Sequence, residues 1–180
     1  VLFRSNVYFY QVGIRVGLEN LVREGSRLGF GEPCGIDLPV ESTGVFPGTL
    51  GFWEERYGFP PTENEVLSLA IGQGPNDQTP LKMAQFYLAL ARDGTAPAPR
   101  LAMVESQEEA GPDWSLDLGP EELDAILDGL RQVTAPGGTA FLSTLEHWDL
   151  IGKTGTAQQG LGEEPSHAWF VGLAGPRSEE

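Results

Sequence analysis

A single cysteine, Cys34, stands among 180 residues, so the chain can form no internal disulfide. Two histidines, His147 and His167, lie far apart, and with one cysteine they do not reproduce zinc-ligand spacing. Neither a metal nor an organic cofactor is expected. No run of eighteen apolar residues occurs, which excludes a membrane-spanning helix within this sequence. No signal peptide is visible at its start, as would also hold for a segment from inside a longer protein. Basic residues are scarce: 11 Lys and Arg face 26 Asp and Glu, a formal net charge of −15. That balance argues against a nucleic-acid surface and describes a solvated acidic exterior. The Ser-x-x-Lys pair of serine acyltransferases is also absent. Ser5, Ser26, Ser42, Ser68, Ser106, Ser115, Ser143, Ser166 and Ser178 are all without a lysine three positions on.

What is present suffices for one domain with a real core, at 40% hydrophobic residues. Val7, Tyr10, Ile14, Leu18, Leu21 and Val22 recur near a helical period, and Gly13, Gly17 and Gly25 predict a division into two shorter helices. Residues 29–62 are rich in Gly and Pro and read as loops with short extended pieces, in which Trp53 packs a loop and Cys34 is structural. Gly72-Gln73-Gly74 is a tight turn rather than a dinucleotide loop, because the third glycine position of that motif holds Asp77. Thr79 caps a helix that starts at Pro80 and stops near Gly94. Thr95 to Val104 is expected to be extended, and residues 105–119 a surface excursion. Pro120, Glu121 and Glu122 open another helix with Leu123, Ile126, Leu127, Leu130 and Val133 on its apolar face. Pro136-Gly137-Gly138 ends it. From Leu150 the texture is strand, a Gly/Pro turn over residues 160–165, then strand over residues 168–174, which predicts an antiparallel hairpin. Trp169 and Phe170 read as core packing beside an exposed His167.

The most informative segment is Ile151-Gly152-Lys153-Thr154-Gly155-Thr156-Ala157-Gln158. A phosphate loop would need a glycine five residues before Gly152, where His147 stands. The other chemistry with this pattern is the Lys-Thr-Gly signature of serine acyltransferases acting on penicillin-like or D-alanyl substrates. A strand edge offers N–H and C=O groups to a peptide, a glycine permits close approach to the backbone, and a lysine with two hydroxyls suits a carboxylate.

Six segments in one order surround that motif: residues 6–13, 30–39, 71–81, 137–140, the Lys153 segment and residues 167–172. Together they make the chain resemble the transpeptidase domain of class B penicillin-binding proteins, most closely the elongation type. The resemblance implies an α/β, serine β-lactamase/transpeptidase-like three-layer fold, here incomplete, with helices followed by antiparallel strands. It implies a peptidoglycan D,D-transpeptidase that cross-links stem peptides through a serine acyl-enzyme and is acylated by β-lactams. A serine β-lactamase of the same fold and a non-catalytic transpeptidase-like interaction or sensor domain are the alternatives.

By the same resemblance, Lys153 sets the positive potential of the cleft and supports proton relay. Thr154 and Thr156 hydroxyls hold the substrate carboxylate, Gly155 lies beside them, and the Thr156 N–H forms half of the oxyanion hole. Asn6 corresponds to the end of the family's Ser-x-Asn motif, whose serine position is occupied by Arg4. Val1–Ser5 resembles a translated sequencing adapter, so residues 1–5 are expected to be non-native. Residues 6–180 are then the C-terminal part of the domain, without the upstream Ser-x-x-Lys region and the last sheet strand. The implied location is the extracytoplasmic face of the bacterial cytoplasmic membrane, with a membrane anchor elsewhere in the parent protein. The implied partners are stem peptides, β-lactams and membrane proteins of cell elongation, with no nucleic acid.

Overall fold

A computed structural model describes residues 3–101, 114–157 and 166–176. The chain divides into two compact units, residues 1–82 and 83–180.

In the first unit, α1 (Phe3–Val16) and α2 (Leu18–Arg27) are separated at Gly17, whose φ of 81° lies where only glycine is at ease. The helical period therefore breaks at one of the three expected glycines. Gly13 remains inside α1 because it is a contact: a Cβ there would lie 2.5 Å from the Cβ of Ala70. Gly25 likewise stays helical and carries the Phe46 ring.

One helix corrects the reading of residues 29–62, and a second follows that stretch. Phe52–Tyr57 forms α3, so Trp53, 1% exposed, anchors a helix and not a loop. Six residues are too few to display a helical period. Glu63–Ala70 forms α4, which begins with a capping box. The Asn64 N–H donates to Thr62 Oγ1 at 3.3 Å, and the Thr62 N–H donates to Glu65 Oε2 at 3.0 Å. The Thr-x-x-Glu spacing was a readable signal for this helix. Gly72 and Gly74 have positive φ and form the expected turn after α4. Thr79 then caps α5 (Pro80–Ala91), with the Lys82 N–H donating to its Oγ1 at 3.1 Å.

A locked loop lies against the start of α5. Lys82 is 3% exposed and its ammonium donates to the Pro33 carbonyl at 3.5 Å. Glu41 accepts backbone N–H bonds from Cys34, Gly35 and Ile36 at 2.6, 3.0 and 3.3 Å. Burial pushes the Glu41 carboxyl up, but these N–H donors outweigh it and hold it below the ordinary carboxylate value. Cys34 is buried, as its structural reading requires, and desolvation pushes its thiol up despite the opposing charge of Lys82.

A depressed carboxylate contributes stability that is present above its unfolded pKa and lost as pH falls through the folded one. Thermal melts of the protein should therefore fall as pH drops below about 4.3. Glu41→Gln should melt lower at neutral pH and lose less on acidification. A Gln variant with the wild-type acid profile would remove Glu41 from this account.

Among its described residues the second unit contains the remainder of α5, two short strands, one α-helix and a long hairpin. β1 (Thr95–Ala96) pairs antiparallel with β2 (Trp114–Ser115). Leu116, 1% exposed, follows β2, so the end of the expected surface excursion is core; residues 102–113 lie outside the described residues. Of the expected extension from Thr95 to Val104, Thr95–Ala96 is strand, residues 97–101 are not, and residues 102–104 lie outside the described residues. Pro120–Thr134 forms α6, with Pro120 at its first turn and Glu121 and Glu122 favourably placed against the helix dipole. Leu123, Leu130 and Thr134 are buried on it, whereas Ile126 is 38% exposed. Its buried stripe is narrower than the sequence suggested.

Beyond Gly137, in the left-handed region, and a short 3-10 turn at Phe141–Ser143, two ten-residue strands follow. β3 (Trp148–Ala157) and β4 (His167–Pro176) are antiparallel, in register from Trp148 opposite Pro176 to Ala157 opposite His167. The expected hairpin is present, while Gln158 and the turn over residues 160–165 lie outside the described residues. Helices followed by antiparallel strands give the mixed α/β arrangement anticipated for a transpeptidase-like fold.

Candidate active site

The chain has two lysines. Lys82 is enclosed in the first unit, and Lys153 is exposed on β3. Side chains alternate across a strand, so Leu150, Gly152, Thr154 and Thr156 share one face with Phe170, Gly172 and Ala174. Ile151, Lys153, Gly155 and Ala157 share the other with His167, Trp169, Val171 and Leu173. Among the described residues β3 pairs with β4 alone, so no strand lies along its other edge.

On the first face two glycines oppose each other at Gly152 and Gly172. A Cβ on Gly152 would lie 2.6 Å from the Val171 carbonyl oxygen and 2.7 Å from Phe170 Cζ, and one on Gly172 would lie 2.8 Å from Phe170 Cε1. The Phe170 ring therefore lies over a floor that only glycine leaves open. Gly155 differs, since a Cβ there would meet Trp169 Cβ at an ordinary 3.4 Å. Internal packing demands Gly152 and does not demand Gly155. Trp169 and Phe170 are 37% and 42% exposed, which corrects their reading as core residues: they flank the glycines of the hairpin instead of entering a core.

Helix α6 holds β3 from one side. Thr134 is buried and its hydroxyl donates to the Leu150 carbonyl at 2.5 Å. Four residues along the strand, Thr139 Oγ1 and Thr154 Oγ1 lie 3.2 Å apart. The Lys153 ammonium donates to the Thr154 carbonyl at 2.7 Å. The structure thus gathers Lys153, Thr154, Gly155 and Thr156 on one strand segment and adds Thr139, which sequence reasoning left without a role. Its only sequence signal was membership of the Gly137–Ala140 segment. Asn6 stands exposed in the first turn of α1, in the first unit. Among the described residues no group of His, Cys, Asp and Glu is arranged to hold a metal ion.

A strand carrying a lysine and two hydroxyls, with one edge open, suits recognition of an extended peptide ending in a carboxylate. The family model of the penicillin binding protein transpeptidase domain matches residues 3–177. The chain belongs to this family. Peptidoglycan D,D-transpeptidase MrdA of Haemophilus influenzae is 30% identical over 194 residues, covering 94% of this chain and 29% of that protein. The Escherichia coli K12 protein of the same name is 28% identical over 165 residues, covering 86% and 26%.

Among solved structures, the complex between penicillin-binding protein PBP2 and MreC from Helicobacter pylori superposes with a TM-score of 0.78. It is 31% identical and covers 93% of this chain and 31% of that one. Pseudomonas aeruginosa PBP2 in complex with WCK 5153 gives a TM-score of 0.76 at 30% identity, covering 93% and 38%. These relatives make the chain a PBP2-type, class B transpeptidase-domain sequence with the fold of that family. It spans less than a third of the length of the curated relatives.

Proposed function

We propose that this chain is the C-terminal part of the catalytic domain of a peptidoglycan D,D-transpeptidase that acts in cell-wall elongation. The observation that carries the reading is the edge of β3, which bears Thr154 and Thr156 on one face and Lys153 on the other and has no strand on its second side among the described residues. Membership of the transpeptidase family and similarity to proteins named D,D-transpeptidase support it.

In the proposed reaction a serine from another part of the protein attacks the carbonyl between the two terminal D-alanines of a stem peptide. The Thr156 N–H donates to the oxygen that becomes negative, where a preorganised donor is worth most. Thr154 and Thr156 hydroxyls hold the terminal carboxylate, and Lys153 supplies the positive charge that favours it. The C–N bond breaks, D-alanine leaves with a proton, and an amine of a second stem peptide takes the acyl group from the serine. β-Lactams enter the same site because they present an acyl donor and a carboxylate at similar spacing.

The complex of the Helicobacter pylori relative with MreC supports an elongation-machinery partner for the longer protein. No helix among the described residues is long and apolar enough to cross a membrane. We place the membrane anchor in the remainder of that protein and the catalytic domain on the extracytoplasmic side.

The test is incubation of the longer protein with a stem pentapeptide and an amine acceptor. Release of D-alanine together with a cross-linked product is expected. Hydrolysis of β-lactams without cross-linking would point instead to a β-lactamase, and inertness toward both would point to a non-catalytic domain.

A further inference from the structure

We propose that Thr139 is a positioning residue for the Thr154 hydroxyl, donating its own proton to Thr154 Oγ1 so that the Thr154 proton is aimed at the substrate carboxylate. The inference rests on the reading of Lys153–Thr156 given above. The two oxygens lie 3.2 Å apart, and geometry alone lets either be the donor. Chemistry selects one direction. A hydroxyl has one proton and two acceptor sites, whereas an ionised carboxylate only accepts. If Thr154 donates to a carboxylate, it can only accept from Thr139. Accepting that bond also polarises the Thr154 O–H and strengthens what it donates.

The turn that carries Thr139 is fixed, as a positioning group requires. The Gly138 N–H donates to the Ala135 carbonyl at 2.8 Å and the Ala140 N–H to the Val133 carbonyl at 2.9 Å. Ala140 is buried, and Gly138 lies too close to the carbonyls of Gln132 and Val133 to carry a side chain. The end of α6 already holds β3 through Thr134 and the Leu150 carbonyl. Thr139 adds a second tether four residues along the strand, at a side chain assigned to substrate. Without it the Thr154 hydroxyl can turn its proton elsewhere, including toward water, and the carboxylate meets a rotor instead of a donor.

The experiment measures the second-order rate of acylation by a labelled penicillin in the longer protein that carries the nucleophilic serine. Thr139→Val and Thr139→Ser are compared in the native and the Thr154→Val backgrounds, with a penicillin and with its carboxylate ester. Thr139→Val should slow acylation by about 3- to 10-fold, the range expected of one hydrogen bond. Thr139→Ser should recover most of that loss. The effect should vanish in the Thr154→Val background and shrink with the ester, whose uncharged carbonyl accepts more weakly. An equal loss with the ester, or in the Thr154→Val background, would make Thr139 merely structural, and no loss at all would remove it from the site. A longer protein that reacts with no penicillin before any substitution would overturn the functional reading itself, a result separate from these.

Discussion

A fluorescent penicillin should leave the 180-residue chain unlabelled, and should label a longer protein in which a Ser-x-x-Lys segment precedes it. Acylation needs a nucleophilic hydroxyl paired with a base, and no serine of this sequence is followed three positions later by lysine. Lys153 and the Thr156 N–H can stabilise charge but cannot be acylated in its place. In the longer protein, Lys153→Ala should slow labelling on the order of 100-fold, the scale found when one preorganised electrostatic partner is removed. The melting temperature should hardly change, because Lys153 is exposed and its bond to the Thr154 carbonyl is a surface contact. Gel fluorescence with denatured controls reads the first result, and stopped-flow acylation the second. A stable penicilloyl adduct on the short chain would place the nucleophile within these 180 residues. Full-rate labelling of the Lys153→Ala protein would take the lysine out of the chemistry.

Gly152→Val should unfold the hairpin, whereas Gly155→Ala should leave its stability unchanged. At Gly152 even a Cβ would fall 2.6 Å from the Val171 carbonyl oxygen and 2.7 Å from Phe170 Cζ. The first of these neighbours is backbone held by ten paired positions, so it cannot step aside cheaply. Overpacking of this kind typically costs about 1–3 kcal/mol, and the branched valine belongs at the upper end or beyond. At Gly155 the nearest atom is Trp169 Cβ at 3.4 Å, and a methyl group fits. Denaturant melts of the two variants check the contrast. Equal stability of both would mean that Phe170 does not depend on the glycine floor.

That contrast separates what could be read from residues and what needed a fold. The Lys153 segment, its place on a strand and the hairpin partner were legible in the sequence, because strand-turn-strand texture and a short chemical motif are local properties. Thr79 with Pro80 and Pro120 with Glu121 and Glu122 marked helix starts for the same reason: capping acts within one turn. The helix at Phe52–Tyr57 escaped because six residues display no period, and the one at Glu63–Ala70 because its eight residues lie between two segments rich in Gly and Pro.

Only the tertiary structure decided which glycines break helices and which are contacts. Gly17 and Gly13 look alike in sequence, but one has φ 81° and the other meets Ala70 across a helix crossing. The same holds for the site. By itself the sequence determined the chemistry available on β3, a lysine and hydroxyls at consecutive positions of one strand, since covalent order places them there. The partnership of Thr139 with Thr154, fifteen residues apart, and the tie from Thr134 to Leu150 depend on how α6 packs against β3. Hydrogen bonds across such a packing interface leave no periodic trace in the chain, because their geometry is set by the fold and not by spacing.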